Sequence, residues 1–135
     1  MTFVLDASAT IPWFLHDEVD PAAEARFDRL RAYGAVVPAL WHLEVGNVLL
    51  MAFRRKRMTK EALEFALGIL QQVPIDIDRN TARHSLGTTF QIATELDLTL
   101  YDAAYIELAS RRGLPLATND KALLKAALAR GIPLA

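Results

Sequence analysis

Four acids stand where a carboxylate is either costly or well placed for ligands. Asp6 directly follows the apolar run Phe3-Val4-Leu5, and Asp120 lies just past Leu114-Pro115-Leu116-Ala117, in Ala117-Thr118-Asn119-Asp120. In open parallel sheets, ligands sit beyond the carboxyl ends of the strands. Taken singly, each acid reads more simply as the cap of the following helix, a role that Ser8, Thr118 and Asn119 also fit. Glu44 shares a helical face with Leu40, Asn47, Val48 and Met51, a face otherwise mostly apolar. Asp102 lies one turn before Tyr105 and Ile106, with almost no other charge until Glu107. A carboxylate on a buried face is expensive unless it is paired or bound to metal. A partner arginine or a rim position is the structural alternative for these two.

Together the four acids suggest more. They are 38, 58 and 18 residues apart, which suits neighbours in space drawn from separate strand–helix units. Clustered carboxylates repel and raise one another's pKa values, so such a cluster is poor structure on its own. A hard divalent cation resolves the conflict, and Mg²⁺ or Mn²⁺ favours carboxylate oxygens and waters. Such a site can orient a water, lower its pKa and neutralise a phosphodiester in its transition state.

The elements that must position these acids alternate between short apolar runs and longer amphipathic ones. Strands are expected at Phe3-Val4-Leu5, Ala35-Val36-Val37, weakly at Pro74-Ile75-Asp76-Ile77, and at Leu114-Pro115-Leu116-Ala117, where the proline marks a strand start or an edge. Helices are expected over 22–32 after Pro21, over 40–53, and after a Thr59 cap with Leu63, Ala66, Leu67 and Leu70 at helical spacing. Further helices are expected after an Asp78 cap, carrying Ala82, Leu86, Phe90 and Ala93, over 102–112 with Gly113 as the stop, and over 120–130 with Gly131 as the stop. Arg112-Gly113-Leu114-Pro115-Leu116-Ala117 is echoed by Arg130-Gly131-Ile132-Pro133-Leu134-Ala135, one helix-to-strand joint used twice. Strands alternating with helices imply an α/β fold with a parallel sheet wrapped on both faces.

The 135 residues make one ordinary domain, 1–135, able to bury about two-thirds of the unfolded surface. Hydrophobic residues are 53% and charged residues 23%, a globular balance. The absence of cysteine excludes a disulfide scaffold, a thiolate zinc site and a cysteine nucleophile. The start, Met1-Thr2-Phe3-Val4-Leu5-Asp6, has no basic region, and no apolar run approaches the roughly 20 residues that span a bilayer. A cytoplasmic protein without membrane contact is expected. A net charge of −1 provides no global field for nucleic acid, so such binding needs a local patch or bound cations.

Val4-Leu5-Asp6-Ala7-Ser8, Glu44-Val45-Gly46-Asn47, Leu98-Thr99-Leu100-Tyr101-Asp102-Ala103-Ala104-Tyr105 and Ala117-Thr118-Asn119-Asp120 occur in this order along essentially the whole chain. In this the sequence resembles the PIN-domain family, specifically the VapC-type toxin ribonucleases of toxin–antitoxin pairs. The resemblance implies a three-layer α/β/α domain with a central parallel sheet of about four or five strands. It implies an Mg²⁺- or Mn²⁺-dependent endoribonuclease in which Asp6, Glu44, Asp102 and Asp120 form the acidic metal site. Ser8, Asn47 and Thr118 match polar positions that support it. It also implies water attack leaving a 5′-phosphate and a 3′-hydroxyl, a homodimer, and silencing by a VapB-type antitoxin whose tail covers the groove.

Other signals read more plainly. Arg54-Arg55-Lys56-Arg57 is a solvated helix end before it is an RNA grip, and Arg111-Arg112 is read likewise. His16, His42 and His84 share no metal-ligand spacing. Trp13 and Trp41 read as packing, Asp97 as solvated, and His16-Asp17-Glu18-Val19-Asp20 as an exposed acidic loop. A non-catalytic RNA- or protein-binding module is the alternative. A phospho-accepting receiver or aspartyl phosphatase fits poorly, because Asp6-Ala7-Ser8 has neither the paired acids nor the Asp-x-Asp of those classes.

Overall fold

Three consecutive apolar residues suffice for a central parallel strand, because both of its faces are covered and no polar alternation is needed. Phe3–Leu5 forms such a strand, β1, with all three side chains excluded from solvent. Ala35–Val37 forms β2, Ile75–Ile77 forms β3 and Leu116–Ala117 forms β4. The computed structural model describes residues 1–15 and 20–135. Most of the expected acidic loop, including His16, lies outside them.

Among the described residues the strands form one parallel sheet in the order β3-β2-β1-β4. Val4 pairs with Val36 on one side and with Leu116 on the other. The chain therefore steps outward from β1 to β3, then returns past β1 to lay down β4. The expected α/β class holds, with helices flanking a four-stranded sheet. That reversal leaves a crevice between the carboxyl ends of β1 and β4, where the crossovers diverge.

The helices are α1 (Ala7–Thr10), α2 (Pro21–Tyr33), α3 (Trp41–Arg54), α4 (Lys60–Leu70), α5 (Thr81–Ser85), α6 (Thr88–Leu96), α7 (Leu100–Arg112) and α8 (Lys121–Ala129), with a 3₁₀ turn at Ile11–Trp13. Their ends follow local chemistry. Asp20 accepts from the amides of Ala22 and Ala23 ahead of Pro21, and Thr59 accepts from Ala62. Thr99 accepts from the amide of Asp102, so α7 begins earlier than the expected 102. Gly113 ends α7 at φ 63, a left-handed position open to glycine at little cost. Leu30, Trp41, Leu49, Tyr105 and Leu123 fill the core around the sheet. Each contributes about 1.5–3 kcal/mol by leaving water.

Two expectations are corrected. The helix expected after Asp78 is two helices, α5 and α6, parted at Leu86-Gly87, and Asp78 caps neither. Glycine costs about 1 kcal/mol in a helix interior, and Leu86 lies exposed at the break. Asp78 instead pairs with Arg111, which was expected to be solvated. Nη1 and Nη2 of Arg111 donate to Oδ1 and Oδ2 of Asp78 at 3.2 and 2.7 Å. Its Nε donates to Oε1 of Glu107 at 2.7 Å. Pro115 lies directly ahead of β4, in line with the strand start read from the sequence, and the outer side of β4 is covered. Leu134 bridges to Leu116, and the Leu116 amide donates to the Pro133 carbonyl just as the Val4 amide donates to the Pro115 carbonyl. The echoed sequence is thus the same joint built twice, each copy presenting a proline carbonyl to the strand beside it.

Candidate active site

Asp6 leaves the end of β1 at the crevice and is 5% exposed. It occupies the position before α1 but accepts no capping bond there. Its Oδ2 instead accepts from Ser8 Oγ at 2.5 Å and from Thr118 Oγ1 at 2.7 Å. Each hydroxyl is held from behind by a backbone amide. Asn119 N–H donates to Ser8 Oγ at 2.9 Å, and Asp120 N–H donates to Thr118 Oγ1 at 3.0 Å. The loop after β4 thereby fixes the acid after β1. Asp120 does cap its helix, its Oδ1 accepting from Leu123 N–H at 3.0 Å. The capping reading therefore applies to Asp120 and fails for Asp6.

Glu44 lies in the first turn of α3 and is half-buried. The buried stripe of this helix is Trp41, Val45, Leu49 and Ala52. The apolar face expected around Glu44 is a flank instead, with Val48 and Asn47 exposed. Glu44 Oε1 accepts from the Tyr105 hydroxyl at 2.5 Å. Asp102 is half-buried in the first turn of α7, where the Thr99 side chain that caps the helix also partly offsets the rise in its pKa. Asn47 makes no side-chain hydrogen bond among the described residues.

Burial is the first cause that raises the pKa of Asp6, Glu44 and Asp102, and neighbouring acids add to it. Asp120 raises Asp6, Asp6 and Asp102 raise Glu44, and Asp120 and Asp6 raise Asp102. Among the described residues no cation acts on any of these three. Asp78 makes the contrast. Burial pushes it up, but the Arg111 guanidinium prevails and holds it below the usual carboxylate range. One carboxylate cluster in this fold is neutralised by the protein, and the other is left as repelling negative charge.

The structure thus brings the four acids within electrostatic reach of one another and places Ser8 and Thr118 on Asp6. It leaves Asn47 aside. Among the described residues no three acids or histidines stand close enough to hold an ion. The four acids therefore influence one another through space without forming a close ligand shell. The donor set still suits Mg²⁺ or Mn²⁺. It is all hard oxygen, and Asp6 Oδ1, Glu44 Oε2 and Asp120 Oδ2 take no part in the bonds above.

Two features escaped the sequence reading. Tyr105 was an apolar-face residue; only the fold sets it against Glu44, 61 residues away. The Asp78–Glu107–Arg111 cluster carried one signal, the i, i+4 spacing of Glu107 and Arg111. The other histidines and tryptophans behave as read. Trp13 donates to the Ala23 carbonyl and packs on Phe27, and His42 sits edge-on to the buried Trp41.

Comparison with known proteins agrees with this fold. The PIN domain family model matches residues 3–128. Ribonuclease VapC3 of Mycobacterium tuberculosis is 32% identical over 126 residues, covering 91% of this chain and 85% of that protein, in both strains compared. The crystal structure of PAE2754 from Pyrobaculum aerophilum superposes with a TM-score of 0.61 at 25% identity, covering 93% of this chain and 87% of that one. FitAcB from Neisseria gonorrhoeae superposes with a TM-score of 0.66 at 16% identity, covering 99% and 96%, a likeness of fold.

Proposed function

This chain belongs to the PIN-domain family, and from that premise we propose that it is a divalent-metal-dependent endoribonuclease, the toxin of a toxin–antitoxin pair. One observation carries the reading. Asp6, Glu44 and Asp102 are raised by burial and by neighbouring acids of the same four at the sheet's switch point, and among the described residues no cation offsets them. Such a cluster destabilises the chain unless a ligand supplies positive charge. The ribonuclease relative, matched along most of its length, gives that ligand a purpose.

In this reading Asp6, Glu44, Asp102 and Asp120 hold Mg²⁺ or Mn²⁺, directly or through water. The bound ion supplies neutralisation of the phosphodiester charge and acidification of a water. The chain's own residues prepare the rest. Ser8 and Thr118 orient Asp6 by donating to Oδ2 and partly offset the rise that burial imposes on its pKa. Asp120 is anchored through its cap on α8. Asp102, at the start of α7, would hold the ion directly or through the water that attacks. Asn47 lies one turn beyond Glu44 on an exposed face, where it can meet the RNA. The partners are RNA, a VapB-type antitoxin and a second copy of the chain, in the cytoplasm. No helix among the described residues is long and apolar enough to cross a membrane.

The test is sequencing of cut RNA ends after brief induction of the parent chain and of Asp6→Asn. Cut ends bearing 5′-phosphate are expected from the parent and absent from the variant. Asp102→Asn is expected to behave likewise, with both variants folded. Full cleavage by both variants removes the nuclease reading. RNA retained without turnover, with metal present, selects the binding-module alternative.

A further inference from the structure

Tyr105 is fully buried, yet its hydroxyl reaches Glu44 Oε1 at 2.5 Å. The bond between phenol and carboxylate joins α7 to α3. Ser8 and Thr118 likewise donate hydroxyls to the Asp6 carboxylate. We propose that Tyr105 is a positioning residue for Glu44, committing Oε1 to the phenol so that Oε2 alone faces the cation. The inference rests on the metal-site reading above.

Two observations support it. First, Glu44 is the one acid of the four with an extra methylene, and Asp6 and Asp102 both repel it. An unheld carboxylate there would swing to water, and fixing its rotamer in advance removes an entropic cost from ion binding. Second, packing does not require the hydroxyl. A phenylalanine ring would fill the same volume, whereas a buried O–H is costly unless it is bonded.

The experiment is Tyr105→Phe in the full chain, with Mn²⁺ binding followed by calorimetry without RNA. The metal-free melting temperature is expected within a few degrees of the parent. The half-saturating Mn²⁺ concentration is expected to rise about tenfold, the scale of losing a group that orients a metal ligand. Cleavage at limiting Mn²⁺ falls in step, saturating Mn²⁺ restores kcat, and KM for RNA is unchanged. An unchanged Mn²⁺ isotherm in folded Y105F overturns the proposal. So does a further tenfold loss when Tyr105→Phe is added to Glu44→Ala, because the hydroxyl would then act elsewhere. A probe that keeps Tyr105 itself is the parent chain labelled with 3-fluorotyrosine. Its buried ¹⁹F resonance is expected to shift with Mg²⁺ while those of the exposed Tyr33 and Tyr101 stay put, and a fixed Tyr105 resonance overturns the proposal whether or not Y105F folds. A parent chain with no Mn²⁺ response removes the metal reading and this proposal together, whereas a normal parent response with an unaltered Y105F removes this proposal alone.

Discussion

Asp6, Glu44 and Asp102 all bind their protons more tightly in the native chain than in the unfolded one, because their native pKa values are raised. Metal-free stability should therefore rise as pH falls from neutral through the raised values. The gain is complete below the unfolded values of 3.8 and 4.5. Asp78 runs the other way: its contribution is present above 3.8 and is lost as pH falls through its lowered value. A melting-temperature profile without metal should peak on the acid side of neutral, and a steady fall from pH 7 to pH 5 would contradict this. Asp102→Asn removes one repelling charge, so its metal-free melting temperature should exceed the parent's while its Mn²⁺-induced rise shrinks. Stability and activity then trade against each other at a single side chain. These acids were legible because a carboxylate at a strand end or among apolar neighbours is conspicuous. Tyr105 was not, because an aromatic at helical spacing signals core, and its hydroxyl matters only once α3 lies beside α7.

The same holds for whole elements. Arg111 joins α7 to the end of β3 through paired bonds to Asp78 and further bonds to Glu107, both carboxylates nearly excluded from solvent. His84 on α5 is the other basic group near, its Nδ1 3.8 Å from Glu107 Oε1. Arg111→Met leaves two buried carboxylates without their guanidinium and should cost about 3–5 kcal/mol, read as a lower urea midpoint. Arg111→Lys should recover only part, because an ammonium cannot make the paired contact. The sequence placed Arg111 at a helix end, where solvation is the ordinary outcome. What it could not show is that β3 ends one helix-width away with an acid of its own.

At the scale of the molecule, the two proline joints close the sheet. The amides of Leu116 and Ala135 are satisfied by Pro133 and Leu116, and Ile132 is buried. Arg26 Nη1 donates to Asn119 Oδ1 at 2.9 Å and Arg26 Nε to the Ala135 carbonyl at 3.3 Å, so the chain end also steadies the loop after β4. Removing residues 131–135 should lower stability by about 2–4 kcal/mol, the sum of one buried isoleucine and a few backbone bonds. It should also loosen Asn119, whose amide holds Ser8 on Asp6. Urea titration reads the first effect, and faster amide exchange at Asn119 reads the second. A truncated chain as stable as the parent would mean that the second joint is idle.

What the sequence determined by itself was local. Apolar triplets marked the strands, caps and glycines marked most helix ends, and the fold class followed from their alternation, because these signals depend on neighbours within a few residues. Only the tertiary structure decided which acids feel one another, which carboxylate receives a guanidinium, which hydroxyl holds Glu44 and how the chain end covers β4. Those contacts join residues tens of positions apart, and their partners are set by strand order and helix packing, which no short window of the chain contains.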